Sequence, residues 1–206
     1  MCIPKSFRNF AVRIMAKTIM RHITLIAGAR PNFMKIAALI HAIQAALNCA
    51  GIHHMWFGEE FGARRTDAMD ADNKVDFEKA VQTLAFLRGT ERVLNGLQKG
   101  YRISLMCSEA HPLECHRFAM VSRWFYEHGV DMQHIVHDEN GQTIAVPHKT
   151  LQDEMVAEYV RKKKIPQVQP PDMFGENECT KEQQIVLAYR QKNKEIAYQQ
   201  EIEERY

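Results

Sequence analysis

Short apolar runs alternate with longer segments of helical period along most of this chain, and that alternation restricts the fold more than any other feature. His22–Ala27, Ile52–Phe57, Arg102–Cys107 and Val130–Val136 read as strands. Phe33, Ile36, Leu39, Ile40 and Ile43 recur at helical spacing over 32–48, and helical patterns also cover 75–99 and 112–128. Gly89 marks a break in the second of these helices, and Gly100 and Gly129 suit helix ends. Strands that alternate with helices predict an α/β domain: a three-layer, mostly parallel sheet with helices on both faces. Asn140-Gly141 is a turn signal that suggests a small hairpin. A helix is expected over 148–163, closed by the positive run Arg161–Lys164. Thr180 with Gln183 forms a capping-box pattern and opens a polar C-terminal helix.

At 206 residues the chain suits one domain with additions. The expected plan is a disordered extension over 1–20, a single α/β domain over 21–163, a Pro-rich linker over 164–179 and a C-terminal helix over 180–206. Residues 1–19 lack the apolar core and small-residue cleavage site of a signal peptide, an organellar presequence being the lesser alternative. No apolar run reaches membrane-spanning length. The net charge is +2, and no acidic residue precedes Glu59. The basic clusters lack interleaved aromatics, so nucleic acid is disfavoured as a partner. Five widely spaced cysteines suit free thiols in a reducing cytoplasm. The thin apolar seam of the last helix would pack on the domain or on a second copy in a homo-oligomer.

Chemistry concentrates between Arg102 and Phe118. A strand ends on Cys107, a polar loop carries Glu109 and His111, and Pro112 opens a helix whose first turn holds Cys115, His116 and Arg117. Strand ends facing helix starts are where open α/β sheets place their sites. A first-turn thiol meets unpaired N–H groups and the positive end of the helix, both of which favour thiolate. Arg117 there would clamp an anion, and Arg64 and Arg65, which also follow a strand, would approach it. Glu109 or Glu114 would act as a general base or only as a helix-end acid. For each residue an ordinary structural reading stands beside this one. Cys107 suits a small core residue, and the arginines suit ion pairs with Glu59, Glu60 or Glu109. Cys107, Cys115 and His116 are also an alternative metal-ligand set, which His53, His54 or His111 could extend. Two arguments rank it second: the seven-residue gap is wide for a zinc knuckle, and adjacent helical residues point roughly 100° apart. That same angle makes His116 a poor base for Cys115, so His111 or the Glu59–Arg65 loop is the better partner.

Ala50-Gly51-Ile52, Phe57-Gly58-Glu59-Glu60-Phe61-Gly62-Ala63-Arg64, Val75-Asp76-Phe77-Glu78-Lys79, Cys107-Ser108-Glu109 and Cys115-His116-Arg117 together resemble the domain-of-unknown-function family 488, over about residues 45–190. The resemblance implies a small α/β domain and gives no reaction. Gly62-Ala63-Arg64 departs from that family's Gly-Gly-Arg, and its opening strand–helix–strand unit is absent. In its place, Ile23-Thr-Leu-Ile-Ala-Gly28-Ala-Arg30-Pro31-Asn32-Phe33-Met34-Lys35 resembles the start of the non-hydrolysing UDP-N-acetylglucosamine 2-epimerases, over 21–46. An epimerase site needs two Rossmann-like domains, for which the chain has no room, so epimerase activity is not expected. The chain reads as chimeric, with a junction near 40–50 and the family-488 core over 47–163.

The working expectation is a site with Cys115 as reactive or contacting thiol, Cys107 beside it, Glu109 as acid/base and Arg117, His116, Arg64 and Arg65 as the anion pocket. Its ligand would be a small anion, phosphorylated or nucleotide-like. A metal-binding module and an inactive chimera are the rivals. The sequence identifies no cofactor.

Overall fold

A computed structural model of the chain describes residues 44–107, 109, 111–138, 140–168 and 179–200, with the backbone of two further strands. Those strands are β1 (Ala11–Ile14) and β2 (Ile23–Ala27); then follow β3 (Ile52–Trp56), β4 (Arg102–Met106), β5 (Met132–His137) and β6 (Thr143–Pro147). Residues 44–49 are helical (α1), followed by α2 (Gly58–Phe61), α3 (Phe77–Ala80), α4 (Leu84–Gln98), α5 (Arg123–Glu127), α6 (His148–Arg161) and α7 (Lys181–Ile196). Most of the helix expected over 32–48 lies outside the described residues.

The six strands form one sheet in the order β3-β2-β4-β1-β5-β6. The α/β class holds, but the mostly parallel sheet does not. Only β3-β2 and β2-β4 pair in parallel, whereas β1-β4, β1-β5 and β5-β6 are antiparallel. Two physical causes produce the mixture. Residues 11–14, expected in a disordered extension, insert between β4 and β5 and run against both. The β5–β6 link is a tight turn, and a tight turn joins only antiparallel strands. Its Asp138 N–H bonds Gln142 O at 2.9 Å, and Gly141 sits at φ +74°.

Alternation along β4 buries Ile103 and Leu105, and along β5 it buries Met132 and His134. This face carries the core, with Phe61, Phe86, Phe118, Phe125, Met155 and Tyr189 from the helices. Two buried histidines are part of it. The Tyr189 hydroxyl donates to Gln152 Oε1 at 3.1 Å. His148 Nε2, 2.9 Å away, therefore donates to the Tyr189 oxygen, and its Nδ1 accepts from His134 Nε2 at 2.9 Å. Phe118 stacks on His148 with ring centroids 4.7 Å apart.

The C-terminal helix packs on the domain. Thr180 Oγ1 accepts from Gln183 N–H while Gln183 Oε1 accepts from Thr180 N–H, the reciprocal pair that the sequence predicts. At the other end Asn193 clamps the segment before α3: its Oδ1 accepts from Phe77 N–H and its Nδ2 donates to Val75 O. The break in the 75–99 helical segment falls at Val81–Thr83, not at Gly89. Thr83 Oγ1 caps α4 by accepting from Phe86 N–H. Gly89 instead serves packing, since a Cβ there would lie 2.5 Å from Glu60 Cβ.

Candidate functional site

β4 delivers Cys107 to the end of the sheet's core face. The next turn differs from the helix expected over 112–128. His111 Nδ1 accepts from Leu113 N–H, and Pro112–Glu114 form a single 3-10 turn. Cys115 is then extended, at φ −121° and ψ 135°. The helix starts only after it, with a π-helical turn over Arg117–Ser122 that runs into α5. Such turns recur where a helix must re-aim side chains at functional positions.

Cys115 therefore stands at the helix N-cap and not in its first turn. Its carbonyl accepts from Phe118 N–H at 3.0 Å, and its Sγ accepts from Arg117 N–H at 3.3 Å. A sulfur fills the place usually taken by a Ser or Asp oxygen. The extended backbone also removes the helical-angle argument against His116. Its Nδ1 lies 3.9 Å from Cys115 Sγ and 3.7 Å from Cys107 Sγ. Glu109 Oε2 lies 2.6 Å from Cys107 Sγ and 3.5 Å from Cys115 Sγ. All four donor atoms fall within 4.8 Å of one another.

His116 is oriented from the other side of its ring. Nε2 is 3.1 Å from the Phe61 carbonyl oxygen. A carbonyl only accepts, so the proton sits on Nε2 and Nδ1 faces the sulfurs. Phe61 is held by Phe57, Phe86 and Phe125, with ring centroids 5.2–6.2 Å away. The turn after it needs glycine: a Cβ on Gly62 would sit 2.2 Å from the Gly58 carbonyl oxygen. The Gly58-to-Gly62 motif thus builds the support that aims His116.

Charge within the cluster is frustrated. Two sulfurs and a carboxylate crowd one imidazole in a buried place. The Cys115 thiol pulls the Cys107 thiol well below its ordinary range, with help from His116. Burial, then the Cys107 sulfur, pushes Cys115 up.

Arg117 is buried beside the cluster and lines, with Cys107, His116 and Leu105, a cavity of about 20 Å³. The other arginines in the expected anion pocket are engaged elsewhere. Arg65 is buried and makes two bonds to the Asp67 carboxylate, at 2.9 and 2.7 Å. It also donates to Glu60 O at 2.7 Å and to Thr83 Oγ1. Arg64 lies over the Tyr198 ring, 4.6 Å from its centroid. Glu114 is exposed. The Phe61 carbonyl is the functional group that the sequence does not reveal, because a backbone acceptor has no residue signature.

Residues 29–124 match the family model described as "Domain of unknown function DUF488". The matched stretch contains the Gly58–Arg64 support and all four donors of the cluster. It starts inside the segment that resembles the epimerase opening. No curated protein and no solved structure matches the chain.

Proposed function

We propose that the chain is a family-488 protein whose Cys107, Glu109, Cys115 and His116 bind one soft divalent cation, zinc being the best fit. The observation that carries this reading is the His116 ring: Nε2 is bonded to the Phe61 carbonyl while Nδ1 is turned toward two sulfurs. Metal-bound histidines are oriented in this way, by a carbonyl or carboxylate on the far ring nitrogen. Spacing supports it. With Zn–S about 2.3 Å and Zn–N or Zn–O about 2.0–2.1 Å, a tetrahedron has S–N and S–O edges of about 3.5–3.6 Å. Three edges of the cluster are 3.5, 3.7 and 3.9 Å. The fourth, 2.6 Å between Cys107 Sγ and Glu109 Oε2, would open by about 0.9 Å.

A metal-free nucleophilic Cys107–His116 pair is the weaker reading. Its thiolate would face a carboxylate oxygen at 2.6 Å. A dication instead relieves the repulsion, because coordinating thiols are deprotonated outright. The cavity of about 20 Å³ holds an ion or a water. Pockets for drug-sized ligands are about 300 Å³ or more. A nucleotide is therefore not part of this reading. A reducing compartment, the cytoplasm being the one expected, would keep both thiols free.

The test is zinc stoichiometry of the purified full chain, with Cys107→Ser and Cys115→Ser beside it. One zinc per wild-type chain, lost from both variants, is the expected result. A folded wild-type protein that takes up no zinc at micromolar free ion would remove the reading.

A further inference from the structure

We propose that Cys107 and Cys115 are a peroxide-sensitive pair, which closes to an intrachain disulfide in the ion-free chain and is protected when the ion is bound. The inference rests on the metal reading above and assigns that centre its regulation: the reduced chain takes zinc and the oxidised chain does not.

The two sulfurs converge. Both approach the same two atoms, Glu109 Oε2 at 2.6 and 3.5 Å and His116 Nδ1 at 3.7 and 3.9 Å. They lie within 4.8 Å of each other. Cys115 has an extended backbone ahead of the helix, so turning its sulfur toward Cys107 unwinds no helical turn. The contact given up is the 3.3 Å bond that Sγ accepts from Arg117 N–H. Cys49, which is exposed, and Cys179, which is buried, lie outside the cluster.

Access assigns the two sulfurs different parts. Cys115 is 0 % exposed and Cys107 7 %. The cavity of about 20 Å³ is lined by Cys107 and His116 and not by Cys115. One water needs about 10–15 Å³, so this space takes the ion or one hydrogen peroxide, not both. Cys107 is therefore the sulfur that peroxide reaches, and Cys115 is the resolving thiol beside it. Bound zinc protects Cys107 by filling the space and by engaging its thiolate.

The chemistry has two steps. The Cys107 sulfur attacks one peroxide oxygen and the O–O bond breaks; Cys107 becomes a sulfenic acid, and the released hydroxide takes the thiol proton and leaves as water. The Cys115 sulfur then attacks the sulfenic sulfur and the S–O bond breaks; its hydroxide takes the Cys115 proton and leaves as a second water. Two thiols and one peroxide give one disulfide and two waters, with two electrons passed from sulfur to oxygen. Neither sulfur then has a thiolate to offer, and Glu109 with His116 falls two donors short of a four-coordinate zinc site.

The test treats the zinc-free full chain with hydrogen peroxide and reads it by thiol alkylation with peptide mapping, and by zinc uptake. Wild type should form the Cys107–Cys115 link, lose zinc uptake, and regain both thiols and uptake with dithiothreitol. Zinc at ten times its Kd leaves about one chain in ten open, so oxidation should slow about tenfold. Cys115→Ser keeps an N-cap acceptor and should carry Cys107 on to sulfinic acid, which dithiothreitol does not reverse. Peroxide that oxidises Cys49 and leaves Cys107 and Cys115 open to alkylation would overturn the inference. So would wild-type Cys107 ending as sulfinic acid, an oxidised chain that still takes up zinc, or an oxidation rate that bound zinc does not change. A reduced chain that takes up no zinc would instead overturn the metal reading itself, and this inference with it.

Discussion

Replacing Gly89 with Ala drives a methyl group into α2, and the consequence should reach the site. The new Cβ would lie 2.5 Å from Glu60 Cβ and 2.9 Å from Phe61 Cε1. Ordinary contact begins at 3.4 Å, so α2 must retreat by about 0.9 Å. Glu60 Cβ is next to the backbone and cannot swing aside as a flexible chain end would. Overpacking of this kind costs about 1–3 kcal/mol, offset by about 1 kcal/mol because Ala favours helix over Gly. The net expectation is a loss of about 0–2 kcal/mol. The sharper effect is on His116, whose Nε2 partner is the carbonyl of Phe61 in the displaced segment. Losing an outer partner of a metal-bound histidine costs about 10–100-fold in affinity. Urea unfolding gives the first quantity and cobalt titration the second. Stability raised by about 1 kcal/mol with unchanged metal affinity is what an exposed helical Gly→Ala would give, and that outcome would refute the packing argument.

Three further outcomes are expected. Thr180→Ala removes the side-chain half of the α7 capping box, the Oγ1 that accepts from Gln183 N–H, and should cost about 1 kcal/mol in urea unfolding, with metal affinity unchanged. Arg65→Lys cannot reproduce the two-pronged bond to Asp67 together with the Glu60 carbonyl contact, and should cost about 1–3 kcal/mol in the same assay. Acid should destabilise the fold through the buried histidines. Burial lowers His134, and lowers His148 to about 3. The unfolded chain takes up these protons first, so their stabilisation is complete above pH 6.5. It is lost as pH falls from there toward 3, at up to about 1.4 kcal/mol per pH unit for each histidine. Unfolding free energies measured between pH 7 and 5 should show this slope, and a flat profile would contradict the neutral-histidine assignment.

Much of the fold is legible in local pattern because the controlling forces are local. Strands β3, β4 and β5 fall on their apolar runs, the hairpin on Asn140-Gly141 and α7 on its capping box. Ala11–Ile14 is not legible, because four residues in a basic stretch carry no period and gain strand form only from β4 and β5. The helix break falls at Thr83 because a side-chain cap and a packed glycine contact decide it, and neither follows from composition. At the site, the residue types and spacing point to Cys107, Glu109, Cys115 and His116, and the structure brings them together. Their geometry does not follow from spacing, because the argument from helical angles assumes a helical Cys115 and the backbone there is extended. Arg65 carries the same charge as Arg117, but the Asp67 carboxylate two residues away claims it.

X-ray absorption at the zinc edge of the zinc-loaded full chain tests the central claim most directly. Two sulfur scatterers at about 2.3 Å and two nitrogen or oxygen scatterers at about 2.0–2.1 Å are the expected shell. A shell of nitrogen and oxygen alone would place the ion elsewhere and contradict the account.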